Sequence, residues 1–173
     1  MRHAISVLLQ NEVGALTRMT GMFSSRGYNI ESLNVAPTND PSVSRVTLVV
    51  SGSDEAIAQL NALLAKLIDV VNIHDMTLGD HFEQELAIIK VKLNTGNLNE
   101  MKKIAKQSGA LVLDEQYESF TVQLTGKVKE IDDFVKSITI LGRISAVARS
   151  GTVAVSKGEV TLTSFDLQHL LVG

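Results

Sequence analysis

Two pairs of glycines constrain this chain more than any other feature. Gly14 and Gly96 lie 82 residues apart, and so do Gly27 and Gly109. Each time, the first glycine follows a strand-like apolar run and opens a helical one, and the second closes that helix. His3–Leu9 reads as a buried strand. Leu16, Met19 and Phe23 then fall at helical spacing with Met22 beside them, and Gly27 suits the left-handed position that ends a helix. Tyr28–Ala36 is extended, and Pro37 and Pro41 bound a loop, "APTNDPS". Val43–Val50 alternates, with Val46, Leu48 and Val50 on one face and Arg45 and Thr47 on the other. Ser53 is placed to cap a helix whose inner face is Ile57, Leu60, Leu64 and Leu67, and Val70–Met76 is a fourth strand.

That order is β-α-β-β-α-β, the split βαβ or ferredoxin-like pattern, and it then runs a second time. Leu86–Leu93 is a strand. Leu98, Met101, Ile104 and Ala105 form an inner helix face that Gly109 ends. Ala110–Asp114 and Ser119–Thr125 are strands. Lys127–Ile138 is a helix with Ile131, Phe134, Val135 and Ile138 inward, Gly142 ends it, and Arg143–Arg149 is the last strand. Beyond the prolines the offset falls to about 75, because the second half lacks the "PTNDPS" loop. The expected fold class is therefore α+β, two ferredoxin-like units in tandem. The first unit covers 1–77, a polar linker 78–85, the second unit 86–160, and a tail of unassigned role 161–173. Val153 and Val155 are candidates for a short extra strand, and "LTSFDLQHLLVG" reads as a weak helix or a frayed tail.

Composition removes several functions. There is no cysteine, hence no disulfide, zinc thiolate or thiol nucleophile. A net charge of −3 without a basic cluster argues against nucleic acid. RNA-binding domains of this topology stack bases on aromatics of the first and third strands, and His3–Leu9 and Val43–Val50 contain none; Phe120 alternates with Val122 and Leu124 and belongs to the core. Aromatics are only 4% and tryptophan is absent, so the core is aliphatic. The apolar run Ile5–Leu9 is too short for a signal-peptide core or a membrane span, and the expectation is a soluble, cytoplasmic protein with no membrane contact.

No catalytic constellation emerges. His3, His74, His81 and His169 are scattered and read as surface or strand-end residues. Asp132-Asp133 and the "KKIAK" run read as solvated helix faces, and neither a nucleophile elbow nor a phosphate loop is present. Small polar groups do flank the first helix. "NEVGAL" offers backbone N–H groups at a helix N-terminus, which attracts a carboxylate, and Gly14 allows close approach. Asn11 and Asn29 each carry a donor and an acceptor, and together suit the ammonium and carboxylate of a free amino acid. Val13, Leu16 and Ile30 suit an aliphatic side chain. The topology is expected to place the loop after the first strand near the start of the second. The same residues also suit two ordinary turns.

The stretch "LLQNEVGALTRMTGMFSSRGYNIESLNVAPTNDPSVSRVTLVVSG" resembles the N-terminal ACT domain of the small, regulatory subunit of acetolactate synthase (acetohydroxyacid synthase). "N-E-x-G-A-L", "F-S-x-R-G-Y-N-I-E-S-L", "V-A-P-T" and "S-R-V-T" carry the likeness, which continues in "QLNALLAKLIDVVNI" and returns in "VARSGTVAVSKGE". The resemblance implies a chain that has no acetolactate synthase activity and binds no cofactor. Its partner would be the large catalytic subunit, which carries thiamine diphosphate, Mg and FAD. The small subunit would raise that partner's activity and confer feedback inhibition by valine or another branched-chain amino acid. It also implies a homodimer in which ACT domains pair side by side, with the effector at their interface. Carried over by position, Asn11, Gly14, Ala15 and Leu16 form the helix-terminus half, with Val13 as a wall, and Asn29 and Ile30 of the partner chain form the other half. The second unit keeps Gly96 but has Gly109-Ala110-Leu111 where the first has Gly27-Tyr28-Asn29-Ile30, and no equivalent site is expected there. The alternative is a free-standing amino-acid sensor that controls a different partner.

Overall fold

The repeat is written into the backbone. Gly14 and Gly96 both take left-handed φ values, 89° and 88°, and Gly27 and Gly109 take 73° and 69°. A side chain at such angles is strained, so each pair marks the same step at which the chain enters or leaves a helix. The computed structural model describes residues 1–159 and 161–162.

The chain packs as two units. One comprises Met1–Phe82 together with the described residues from Thr152 onward; the other comprises Glu83–Gly151. In the first unit the elements are β1 (Arg2–Gln10), α1 (Ala15–Ser25), β2 (Ile30–Pro37), β3 (Val43–Ser51), α2 (Asp54–Leu64) and β4 (Val70–Asp75). The sheet order is β2-β3-β1-β4, all antiparallel. Ile5, Val7 and Leu9 meet Met19 and Phe23 of α1 and Ile57, Leu60 and Leu64 of α2. Ser53 caps α2 by accepting from the amide of Ala56. Leu16 matches the helical spacing but stays on the outside, and Ala15 takes the buried place in the first turn.

The opposite face of this sheet is not the polar surface that alternation suggests. Ser6 and Thr47, directly opposite each other in the register, are buried there. The reason lies far along the chain. After a single helical turn at Met76–Leu78, a short strand β9 (Val153–Ser156) packs Ala154 against Ala4 and Met76, and Leu162 packs on Leu8 and Val43. The extra strand expected at Val153 and Val155 exists and belongs with the first unit. Residues 163–173, read from sequence as helix or tail and including His169, lie outside the described residues.

The second unit contains β5 (His81–Leu93), α3 (Leu98–Gln107), β6 (Leu111–Glu115), β7 (Ser119–Gly126), α4 (Val128–Thr139) and β8 (Gly142–Arg149), with the sheet path β6-β7-β5-β8. Its core unites Ile89, Val91, Met101, Phe120, Val122, Ile131, Phe134 and Ile138. Three expectations are corrected here. Most of the polar stretch read as a linker is strand, because β5 begins at His81 rather than Leu86. Its buried Glu85 hid the pattern: that carboxylate receives both Nε and Nη2 of Arg149, at 2.9 and 2.7 Å, which offsets the cost of burying a charge. Arg149 also donates to Asp132 at 2.7 Å, so Asp132 is paired rather than simply solvated. Gly142 does not end a helix by a left-handed turn; it opens β8 so close to β5 that a Cβ would lie 2.2 Å from the carbonyl oxygen of Lys92.

Candidate effector site

The loop from β1 to α1 is held from two sides. The amide of Asn11 donates to the carbonyl of Ser42 at 2.7 Å, and its side-chain Nδ2 donates to the carbonyl of Pro41 at 2.9 Å. The loop that receives them is ordered in turn by Asp40, which accepts from the amide and the hydroxyl of Ser42 at 2.9 and 2.6 Å. Those bonds hold the Asp40 carboxyl below the usual carboxylate range. One donor of Asn11 is therefore committed to positioning the loop.

Gly14 is the N-cap of α1 and brings no capping side chain. The first turn thus lacks the internal acceptor that Ser, Thr or Asp would supply, which suits a carboxylate arriving from outside. The amide of Ala15 donates to Glu12 at 3.2 Å, and its methyl is buried in the core, so Ala15 adds no side-chain surface to a ligand site. Val13 is fully exposed and Leu16 is 37% exposed, which leaves both as available apolar walls.

A pair missed by sequence reasoning anchors this corner. Arg18, one turn after Gly14, donates from Nε and Nη2 to the two carboxylate oxygens of Asp69, at 2.6 and 2.7 Å. The backbone carbonyl of Asp69 accepts from the amide of Gln10 at 2.8 Å. The end of β1, the start of α1 and the turn before β4 are tied together by these contacts. Arg18 at i+4 from Gly14 was the available signal, but its partner is 51 residues away.

Asn29 and Ile30 follow the left-handed Gly27 and start β2, with Asn29 exposed and Ile30 half-buried against the core. They do not lie near the loop after β1, as the topology alone suggested. Gln10, at the end of β1, pairs with Val43, whereas Ile30 pairs with Val50. Val43 and Val50 stand at opposite ends of β3, about 23 Å apart at 3.3 Å per residue. Within one chain the two groups of candidate residues are therefore separated. β2 is an edge strand of its sheet, and an antiparallel second copy on that edge would set its Ile30 end beside this chain's Pro37 end, next to the Asn11 loop.

Among the described residues no group of three or more His, Asp or Glu is arranged to hold a metal, and no helix is long and apolar enough to cross a membrane. His3 is not at the surface: it is 3% exposed, its Nε2 3.3 Å from Asp54 and its Nδ1 3.4 Å from Asp75. In the second unit Gly96 repeats the turn, while Asn97 is spent on the carbonyl of Leu141 at 2.8 Å.

Residues 5–72 match the model of the AHAS small subunit-like ACT domain, and residues 84–158 match that of the small subunit of acetolactate synthase. The chain is 41% identical over 159 residues to the acetolactate synthase isozyme 3 small subunit of Escherichia coli K12, covering 92% of this chain and 98% of that one. It is 34% identical over 158 residues to a probable acetolactate synthase small subunit of Archaeoglobus fulgidus, with 91% and 98% covered. The crystal structure of the acetolactate synthase small subunit from Thermotoga maritima superposes with a TM-score of 0.82 at 26% identity, over 92% of this chain and 99% of that one.

Proposed function

The chain belongs to the acetolactate synthase small-subunit family, and on that premise we propose that it binds and activates a catalytic large subunit and makes it answer to valine, or another branched-chain amino acid, by feedback inhibition. It performs no turnover itself. Thiamine diphosphate, Mg and FAD belong to the large subunit in this reading, and the pair works in the cytoplasm.

One observation supports the proposal: the Asn11 loop and the Asn29-Ile30 corner lie at opposite ends of a sheet whose edge is β2. A ligand that needs both halves needs two chains. Antiparallel pairing of two β2 strands creates two such sites. In each, the first turn of α1 and Asn11 of one protomer face Asn29 and Ile30 of its partner. The carboxylate meets the helix terminus, the asparagine amides take the polar groups, and Val13, Leu16 and Ile30 enclose the aliphatic side chain. Because the effector bridges protomers, it stabilises one dimer geometry, and it shifts the equilibrium only by its difference in affinity between the states. The large subunit experiences that shift as lower turnover. The first unit senses, and the second supports the dimer or contacts the large subunit.

Calorimetric titration of the purified chain with valine, leucine and isoleucine tests this, repeated on Asn29→Ala. The expected result is saturable binding near one ligand per chain, weakened at least about tenfold by the substitution. Valine and isoleucine differ by one methylene, about 0.8 kcal/mol of burial, so both should bind and differ modestly. Undiminished binding by Asn29→Ala would remove Asn29 from the site.

A further inference from the structure

The sheet face opposite the helices carries a feature that effector sensing does not use. Between β2, β3 and the segment that returns from the far end of the chain lies a cavity of about 460 Å³. Two of the motifs that carried the family resemblance meet in it. "S-R-V-T" contributes Arg45 and Thr47, and "S-G-T-V-A-V-S" contributes Val153 and Ala154. None of Asn11, Val13, Gly14, Asn29 or Ile30 lines it.

Arg45 is the unusual element. It is half-buried, and its two hydrogen bonds go to neutral acceptors: Nη1 to the hydroxyl of Ser6 at 3.1 Å and Nη2 to the carbonyl of Leu162 at 3.0 Å. Among the described residues no carboxylate pairs with it. Burial pulls its pKa downward. Removing a guanidinium from water without a counter-charge is costly, and such groups are normally met by a carboxylate or phosphate. Leu8, Val43, Val153 and Leu162 give the cavity an aliphatic part, and Asn34, Thr38, Asn39, Thr47 and Thr161 give it a polar, uncharged part. A cavity of this volume, part aliphatic and part polar with one fixed charge, has the character of a small-molecule site.

We propose that this cavity is a second ligand site, separate from the effector site, that takes a small monocarboxylate with a short branched or linear aliphatic chain, with Arg45 as its counter-ion. A single guanidinium balances a monoanion, and three of its five N–H groups remain for it after Ser6 and Leu162 are served. The aliphatic walls favour a hydrocarbon body over a bare inorganic anion.

The test uses the full chain and 3-methylbutanoate as probe, followed by calorimetry and by methyl NMR. Saturable binding is expected, with shifts at the methyls of Val43, Val153 and Leu162. Affinity should fall at least about tenfold in Arg45→Gln, which keeps a hydrogen-bonding side chain. Arg45→Lys, which retains the charge, should bind with intermediate affinity, and Asn29→Ala should bind as the parent does. Failure of 3-methylbutanoate to saturate the parent chain overturns the proposal. So do equal binding of neutral 3-methylbutan-1-ol, full competition by sulfate at equal concentration, or shifts confined to Val13 and Leu16. If Arg45→Gln is unfolded by circular dichroism, Arg45→Lys decides: affinity equal to the parent's would leave the carboxylate reading only if the alcohol fails to bind, and equal alcohol binding would end it.

Discussion

Arg18 grips the carboxylate of Asp69 through two hydrogen bonds, and the same guanidinium lies over Gly14, where a Cβ would come within 2.7 Å of Nη1. The glycine that opens the candidate effector site is thus covered by a side chain already committed elsewhere. The conformation of the loop and the ion pair depend on each other.

That coupling makes the corner sensitive to acid. Hydrogen bonds from Arg18 hold the Asp69 carboxyl below its ordinary range. A carboxyl with a depressed folded-state pKa contributes stability that is fully present above the unfolded value, about 3.9, and is lost as pH falls through the lower folded value. Asp69→Asn should therefore be less stable than the parent at neutral pH, and the difference should close below about pH 4. Urea midpoints measured from about pH 7 to about pH 2.5 check this. A difference that stays constant over the range would show that the ion pair does not contribute through the charge of Asp69.

Glycine substitutions separate backbone strain from crowding. Gly27→Ala meets only the strain of its left-handed φ, since nothing lies within 4 Å of its Cβ position, and should cost about 1 kcal/mol. Gly14→Ala adds the collision with Arg18 and should cost more, about 2 kcal/mol, with loss of the Asp69 contact. Gly14→Asp should in addition repel a ligand carboxylate and abolish the response to valine. Chemical denaturation gives the first two values. A Gly14→Ala chain no less stable than Gly27→Ala would mean that Arg18 moves aside freely.

Gly142→Ala is the severe case in the second unit. Its φ is ordinary, but the new Cβ would fall 2.2 Å from the carbonyl oxygen of Lys92, a backbone atom that cannot rotate away. Separation of β8 from β5 should cost about 3 kcal/mol. Hydrogen exchange should show the amides of β8 losing protection first, and uniform protection would count against so close a strand approach.

The edge of the first sheet tests the dimer. Val35 lies on β2 and is 38% exposed. Val35→Lys places like charges near the pairing axis and should leave the chain folded but monomeric by sedimentation, with valine binding lost. A folded monomer that still binds valine would place the whole site within one chain.

Much of this was legible in the sequence because it depends on spacing within one element. Helix faces such as Ile131, Phe134 and Ile138, the Ser53 cap and the left-handed Gly27 all follow from neighbours a few residues away, whereas the left-handed φ of Gly14 and Gly96 came from the structure. The βαββαβ repeat follows from their order, and the motifs around Asn11 and Asn29 pointed to a family whose models match both halves of the chain.

What tertiary structure decided was every pairing between distant residues. Arg18 meets Asp69 across 51 positions, and Arg149 meets Glu85 across 64. A charge on a helix or in a polar stretch looks solvated until the fold supplies its partner, and for that reason the sequence presents Glu85 as linker and Asp132 as surface. Burial of Thr47 and Ser6 required Ala154 and Leu162 to come back over the face of a sheet begun at residue 2. The separation of Asn11 from Asn29 also came only from strand register. Local order says which residues follow a strand, but hydrogen-bonded pairing decides at which end of the sheet they stand.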